Sequence, residues 1–314
     1  MAENTIKKIA TRESYGNALK ELAEEFPNLV VLDADLAAAT KTGIFKKAYP
    51  DRHIDCGIAE SNMMGVAAGL SLVGKIPFVS SFAMFAAGRA FEQVRNSIGY
   101  PHLNVKIGAT HAGITVGEDG ATHQCNEDIA LMRTIPGMVV MCPADDVEAK
   151  AAVRAALEHE GPVYIRFGRA AVPVINDRPD YRFEIGKGSV VREGSDVTII
   201  ATGICVDSAL GAAKLLEADG ISAEVVSICT IKPLDEEIVI NSAKKTGKVV
   251  TVEEHSVIGG LGSAVCDALS ANYPAKVRKL GMQDVFGESG SAAALVQKYG
   301  LDAEGVYKSV KEFL

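Results

Sequence analysis

The feature that most constrains the fold is a repeated alternation between short apolar segments and longer segments with helical periodicity. Leu29–Leu32, Ile76–Ser81 and Met138–Met141 are apolar segments of this kind, and Arg12–Phe26 and Asp145–Glu158 are two of the predicted helices between them. Strands that are apolar throughout are buried on both faces, and strands joined by helices run parallel. The pattern therefore predicts an α/β fold built on parallel sheets.

The alternation is interrupted once. The segment Pro173–Ser189 contains two prolines, several charges and no apolar periodicity, which is typical of a linker. A second series of strands and helices then begins with the predicted strand Val197–Ala201. We therefore predict two open parallel-sheet domains, at residues 1–175 and 188–314, joined by a linker at residues 176–187.

The composition excludes several functional classes. The net charge is −8 and no Lys/Arg-rich stripe occurs, which argues against a nucleic-acid partner. The apolar stretches are too short to span a membrane, and the first residues do not resemble a secretory signal. The 6 cysteines are scattered without a C-x-x-C pair, so zinc and disulfide roles are not expected. We expect a cytoplasmic protein.

The loop at residues 110–124 follows a predicted strand, at the edge of a parallel sheet where ligands bind. Its glycines allow tight folding, so we expect His111, Asp119 and His123 to converge on one pocket. A metal site and a purely structural loop are the alternatives. No second ligand cluster supports a metal, and we predict no metal ligands in this chain.

Two further segments carry candidate site residues. Glu60 opens the apolar segment Ser61–Leu72, which we expect to form a helix buried on all sides. A carboxyl alone in apolar surroundings favours its protonated form and suits proton sharing with a ligand nitrogen, although helix capping is an equal alternative. Phe82 and Phe85 follow a predicted strand, and they either sandwich a flat ring or pack in the core.

Together these segments resemble the transketolase family in order and spacing. The matching segments are A-T-R-E-S-Y-G-N-A at 10–18, G-I-A-E-S-N-M at 57–63, S-F-A-M-F at 81–85, T-H-A-G-I-T-V-G-E-D-G-A-T-H-Q at 110–124 and V-E-E-H-S-V-I-G-G-L-G-S-A-V at 252–265. The resemblance covers essentially the whole chain, but only the second half of the usual enzyme. It implies a thiamine-diphosphate pyrimidine-binding domain followed by a transketolase C-terminal domain.

The resemblance implies a thiamine diphosphate cofactor and a role for each matching residue on the cofactor side. Glu60 would bind the nitrogen of the aminopyrimidine ring and favour its imino tautomer, which then takes the proton from the reactive carbon. Phe82 and Phe85 would stack on that ring. Asp35 matches an aspartate near the cofactor and the dimer interface.

On the substrate side, the resemblance implies that His123 hydrogen-bonds the donor ketose and moves protons during carbon–carbon cleavage. Asp119 would contact a sugar hydroxyl. The residues that match the family's phosphate-binding positions, and that would supply the local cations, are Arg12, His111 and Arg169. One departure is that Thr40 stands near the position where the family usually has a phosphate-binding serine.

The sequence has no G-D-G motif, with which thiamine enzymes hold the diphosphate through Mg²⁺. The resemblance therefore implies that Mg²⁺ is held by an N-terminal-half partner subunit, in a heterotetramer with two of each chain. The second domain is expected to support assembly. The alternatives are a deoxyxylulose-phosphate synthase-like subunit, a 2-oxoacid dehydrogenase beta chain, and a non-enzymatic subunit that kept the fold.

Overall fold

The computed structural model describes residues 7–314. The strands of its first half are β1 (Lys8–Ala10), β2 (Leu29–Asp33), β3 (His53–Asp55), β4 (Ile76–Phe82), β5 (Lys106–Thr110), β6 (Val139–Met141), β7 (Val163–Arg166) and β8 (Ala171–Pro173). The helices are α1 (Thr11–Leu22), α2 (Ala37–Thr40), α3 (Gly43–Ala48), α4 (Glu60–Leu72), α5 (Phe91–Gln93), α6 (Asp128–Arg133) and α7 (Asp146–Glu158). Turns of 3₁₀-helix lie at Pro50–Arg52 and Ile114–Asp119, and π-helical turns lie at Met84–Arg89 and Val94–Gly99.

The second half continues the same alternation. Its strands are β9 (Ser189–Arg192), β10 (Val197–Ala201), β11 (Ala223–Ser227), β12 (Thr230–Lys232), β13 (Lys248–Ser256) and β14 (Lys276–Met282). Its helices are α8 (Cys205–Ala218), α9 (Glu236–Thr246), α10 (Leu261–Asn272), α11 (Ala292–Lys298) and α12 (Ala303–Phe313).

Two large sheets organise residues 7–314. The first has the strand order β12-β6-β7-β5-β4-β2-β3, and the second has the order β14-β13-β10-β11-β9. Every neighbouring pair is parallel except β12–β6 and β11–β9, while β1 and β8 form a separate antiparallel pair. The predicted α/β class with parallel-rich sheets is confirmed. Residues 174–188 form neither helix nor strand, but β12 returns to the first sheet, and the limits 1–175 and 188–314 stay a prediction.

The first sheet is buried between two layers of helices. One layer, α1 and α7, packs against a core that includes Tyr15, Leu19 and Phe78. The other includes α4, whose Met63 and Met64 are fully buried. Because β2, β3, β4 and β5 are parallel, the loops that leave their carboxyl ends lie along one edge of the sheet. These loops contain the predicted site residues.

Two sequence predictions about helices are wrong. The sequence pattern at 86–98 predicts one regular helix, but the structure has two π-helical turns, Met84–Arg89 and Val94–Gly99, on either side of the short α5. Helix α4 is not buried on all sides, since Asn62, Gly65, Gly69 and Leu72 are exposed on one face. The other face of α4 is closely packed, but nothing among residues 7–314 covers this one.

Candidate active site

Glu60 is a buried carboxylate held by a single cation. It is the first residue of α4 and only 2% exposed, and both of its oxygens accept hydrogen bonds from Arg89 Nη1, at 3.1 and 3.0 Å. Its carboxylate bonds therefore come from Arg89 rather than from the backbone amides at the start of α4, so Glu60 does not act as a helix cap. The sequence-based picture of an unpaired acid in apolar surroundings is wrong, since Arg89 pairs with it.

An aromatic cluster continues from this ion pair. The Arg89 guanidinium lies 4.6 Å from the centroid of Phe85. Phe85 and Phe82 are nearly parallel, with centroids 5.9 Å apart, and His111 stacks on Phe82 at 3.9 Å. A separation of 5.9 Å suits direct aromatic pairing. The two phenylalanines therefore contact each other, and the predicted sandwich with room for a third ring is not formed in this structure.

The two histidines of the loop after β5 both border this aromatic cluster. His123 approaches Phe85 edge-on with centroids 5.4 Å apart and Phe82 at 6.3 Å. The Nδ1 atom of His123 is 2.9 Å from the hydroxyl oxygen of Thr122. The structure thus brings His111 and His123 together around Phe82, whereas Asp119, expected to converge with them, pairs with Arg169.

His111 is buried and neutral. Its Nε2 atom lies 3.2 Å from Arg12 Nη1, and its Nδ1 atom lies 2.9 Å from Thr110 Oγ1. Burial, together with the positive charges of Arg12 and Arg169, lowers the pKa of His111 to about 3. At neutral pH His111 therefore offers hydrogen bonds and no charge, which corrects the sequence-based inclusion of this residue among the local cations.

Arg169 and Asp119 lie together at the exposed side of the loop. Arg169 Nη1 is 3.6 Å from Asp119 and 3.5 Å from Glu118, and it also donates to the carbonyl of Val116. The Asp119 side chain is 45% exposed. Arg12 is anchored by donation to Ala39 O at 2.8 Å. The positive charge that the acidic chain needs to bind an anion is thus supplied by arginines on separate elements.

The loop after β2 carries two residues that the sequence analysis singled out, Asp35 and Thr40, and only Asp35 is exposed. Asp35 is exposed in a left-handed conformation, with φ of 59°, and its amide donates to Asp55. Thr40 is fully buried, and its hydroxyl is bonded to Leu36 O at 3.0 Å and Thr42 Oγ1 at 2.9 Å. Thr40 therefore cannot take the place of an anion-binding serine without leaving this network.

The second domain holds the loop after β5 in place. Glu254 of β13 accepts a hydrogen bond from the amide of Thr115 at 2.6 Å. Gly113, with φ of 75°, lies so close that a Cβ atom would be 2.4 Å from the Glu254 carboxyl carbon. Gln124 donates to Glu288 O at 2.9 Å. The second domain thus contributes more than assembly, because it positions the segment that carries His111, Asp119 and His123.

Sequence reasoning missed three residues of this site. Arg89 follows Phe85 by four residues, a spacing that brings side chains together on a helix and was available as a signal. Glu254 lies in a segment that matches the family, but its contact with a distant loop has no local signal. Lys41 adds a positive charge near His111 and has a left-handed backbone, with φ of 71°. Such a conformation is uncommon for a residue other than glycine.

Within residues 7–314, no cluster of three or more His, Cys, Asp or Glu side chains is arranged to hold a metal ion. The helices of that range are also too short or too polar to cross a bilayer. The candidate site is therefore an acid–aromatic–histidine cluster flanked by arginines.

Comparison with known proteins defines the class to which this site belongs. The family model for the transketolase pyrimidine-binding domain matches residues 7–174, and the model for the transketolase C-terminal domain matches residues 186–306. Together with the fold, these matches define the pyrimidine-binding and C-terminal domains of a thiamine-diphosphate-dependent enzyme. The chain belongs to the transketolase family, as its motifs predict.

Several relatives match over nearly their whole length. A protein of Methanocaldococcus jannaschii described as a transketolase C-terminal section is 52% identical, over 96% of this chain and 95% of that protein. A 6-deoxy-6-sulfo-D-fructose transketolase subunit of Clostridium sp. is 48% identical, over 96% and 93%. A solved structure described as a split gene transketolase, inactive beta4 tetramer, is 57% identical, with a TM-score of 0.90 over 98% and 99% of the two chains. This chain thus matches C-terminal subunits of split transketolases.

Proposed function

We propose that this chain is the pyrimidine-side subunit of a transketolase that transfers a two-carbon ketol unit from a ketose phosphate to an aldose phosphate. The observation that carries the proposal is one contiguous row of side chains. It begins at the buried carboxylate of Glu60, passes through Arg89 to Phe85, Phe82 and His111, and ends at Arg12. An acid and aromatic surface suited to a flat, nitrogen-containing ring thus lie beside a site suited to an anion.

The residues present fit an aminopyrimidine ring. Glu60 is a buried carboxyl able to meet a ring nitrogen, and Phe85 offers an aromatic face. The hydroxyl of Ser81, buried immediately before Phe82, has no hydrogen-bond partner among the described residues. The sequence has no G-D-G motif, which supports the proposal that the diphosphate and its Mg²⁺ are held by an N-terminal-half subunit.

Thiamine diphosphate, when bound, supplies the nucleophilic carbon that attacks the ketose. Glu60 would hold a proton between its carboxylate and the ring nitrogen, and a setting that excludes water strengthens that contact. Phe82 and Phe85 would bind the faces of the ring after a rearrangement that separates them. Asp35, on the exposed loop after β2, would lie near the cofactor and the interface with another subunit.

On the substrate side, His123 would take the proton from the sugar hydroxyl next to the carbon–carbon bond that breaks. Asp119 would contact another sugar hydroxyl, which requires it to turn from Arg169. Arg12 and Arg169 would bind the phosphate through charge-assisted hydrogen bonds, and neutral His111 would contribute a hydrogen bond without charge.

The positive cluster of Arg12, Arg169 and Lys41 recognises an oxyanion rather than one particular sugar. A relative is described as acting on 6-deoxy-6-sulfo-D-fructose, whose sulfonate has a similar arrangement of oxygens. We propose a phosphorylated ketose as the donor. The sulfonated sugar is the informative competitor substrate.

We further propose that two copies of this chain associate with two N-terminal-half subunits. The exposed face of α4 supports self-association, because Gly65 and Gly69 lie one turn apart on it and allow another backbone to approach closely. Leu72 continues this face and is 73% exposed. A related chain of known structure is described as a tetramer of such subunits, in an inactive form.

Reconstitution with the partner tests the proposal. The purified chain alone should not transfer a ketol unit, and adding the N-terminal-half subunit with thiamine diphosphate and Mg²⁺ should produce transfer from a phosphorylated ketose. In the same mixture, Glu60→Gln should lower the rate by about 10²- to 10⁴-fold. A matched control is Glu304→Gln, which changes an exposed acid in the first turn of another helix, α12.

Either of two results would overturn the proposal. One is robust transfer by the isolated chain, which would contradict a site shared between subunits. The other is unchanged transfer by the Glu60→Gln complex, which would remove the proton-sharing role. Transfer from 6-deoxy-6-sulfo-D-fructose but from no ketose phosphate would leave the reaction type in place and change the substrate class.

A further inference from the structure

Arg89 occupies both surfaces that an incoming ring would need. Its guanidinium donates to both oxygens of Glu60 and lies 4.6 Å from the centroid of Phe85. Glu60 is 2% exposed, whereas the Arg89 side chain is 52% exposed. One partly exposed cation therefore covers a buried acid and, at the same time, the aromatic face beside it.

The chemistry of proton sharing opposes this ion pair. The Arg89 guanidinium donates to both oxygens of the Glu60 carboxylate. A carboxyl group that shares a proton with a ring nitrogen needs an oxygen free to meet that nitrogen. Arg89 and the ring nitrogen thus compete for the same atoms of Glu60.

An alternative position for Arg89 lies in the adjoining cleft. Arg89, Phe85 and Thr122 line a cleft of about 640 Å³ whose opposite wall comes from the second domain. The same cleft is lined by two exposed carboxylates, Glu127 after β5 and Asp284 after β14. An arginine released from Glu60 therefore has carboxylate acceptors within the space that it already borders.

We propose that Arg89 is a positioning residue that occupies Glu60 until the aminopyrimidine enters, and then turns toward Glu127 and Asp284. This inference rests on the proposed function, because it takes the ring-binding role of Glu60 as given. Arg89 lies at the end of a π-helical turn, a wide winding that is frequent at functional sites. Cofactor entry is thereby coupled to a side-chain exchange between the two domains.

The test measures binding to the chain mixed with its N-terminal-half partner. The probes are thiamine diphosphate and the neutral 4-amino-5-hydroxymethyl-2-methylpyrimidine, which lacks the diphosphate and so isolates the ring contact. Arg89→Met should bind the neutral probe about 3- to 30-fold more tightly, because the competitor for Glu60 is gone. Arg89→Lys, which keeps the charge without the planar guanidinium that lies over Phe85, should fall between the parent and Arg89→Met.

A double-mutant cycle tests the second position of Arg89. Asp284→Asn and Glu127→Gln should weaken probe binding about two- to tenfold in the parent, because they remove the acceptors of the released arginine. In the Arg89→Met background the same changes should have no effect. Additive effects would overturn the exchange between the domains.

Glu60→Gln separates this inference from the proposed function. If Glu60→Gln weakens probe binding while Arg89→Met leaves it unchanged or weaker, Arg89 supports the site structurally and the inference is wrong, although the role of Glu60 stands. If Glu60→Gln binds the probe as the parent does, the proposed function itself fails. The near-ultraviolet circular dichroism of each complex without ligand checks that Arg89→Met keeps its fold. If Arg89→Met does not fold, the Asp284 and Glu127 variants in the parent still test the exchange.

Discussion

At the scale of single residues, His111 illustrates how burial decides what a histidine contributes. Arginine only donates hydrogen bonds, so the His111 Nε2 atom that faces Arg12 must be the unprotonated acceptor. The proton is therefore on Nδ1, which donates to Thr110 Oγ1. His111 thus orients Arg12 without adding to the positive charge, and the proposed anion site depends on Arg12, Arg169 and Lys41 for its electrostatic attraction.

The lowered pKa of His111 predicts a dependence of stability on pH. The pKa is about 3 in the folded chain, against an ordinary value of 6.5. Between these values the unfolded chain binds more protons, so stability falls as the pH falls from about 6.5 toward 3, by up to about 1.4 kcal/mol per pH unit. His111→Gln should flatten this part of the curve, as measured by urea unfolding at a series of pH values. Parallel curves for parent and variant would contradict the assignment.

At the scale of helices and strands, the local signals predicted most elements well. The strand β10 begins and ends where the apolar run Val197–Ala201 predicts, and α7 begins one residue after the start of the predicted helix Asp145–Glu158 and ends with it. These elements are specified by their own residues. By contrast, β12 joins the first sheet through pairing with β6, and this pairing joins segments far apart in the sequence.

The candidate site likewise has features that local sequence predicts and features that depend on contacts between distant segments. The motifs identified Glu60, Phe82, His111 and His123, and the structure places them in one region. The ion pair of Glu60 with Arg89 and the collapse of Phe82 onto His111 could not be predicted, because both depend on how separate loops pack. The sequence thus predicted four residues of the candidate site, but it missed Arg89 and the contacts that these residues make without a ligand.

Gln124 provides a test of how the loop after β5 is held. Its side-chain amide donates to Ile114 O, Gly117 O and Glu288 O at 3.2, 3.3 and 2.9 Å, and it is buried. Gln124→Leu removes the donor and leaves buried carbonyl groups without it, so we expect a loss of about 1–3 kcal/mol in the free energy of unfolding. Urea titration of the full chain measures this loss.

The matched control for Gln124 is Gln283→Leu. The Gln283 amide also donates to two carbonyl groups, of Lys279 and Gly281, but the residue is exposed and water can replace it. We expect Gln283→Leu to change the free energy of unfolding by less than about 0.5 kcal/mol. If the two variants lost equal stability, the contact of Gln124 with the second domain would have no special role.

At the scale of the whole molecule, the candidate site is held firmly on one side and open on the other. The loop with His111 and His123 is held by Glu254 and Glu288 of the second domain, while α4, which begins at Glu60, exposes an apolar face. Tight internal packing on one side of the site and an uncovered face on the other are expected of a subunit that is completed by association.

The exposed face of α4 yields a prediction in which stability and association change in opposite directions. A Cβ atom added at Gly65 or Gly69 would meet no atom of this chain within 4 Å, so Gly65→Leu and Gly69→Leu fit the isolated chain. Leucine favours a helix interior over glycine by roughly 0.8 kcal/mol, so each variant should unfold at a slightly higher urea concentration.

Each glycine variant should nevertheless associate less with a second copy, because the added side chain blocks close approach of the backbones. Sedimentation velocity measures association, and Ser270→Leu, at an exposed position of α10, is the control. Unchanged association in both glycine variants would show that this face is not where copies of the chain meet.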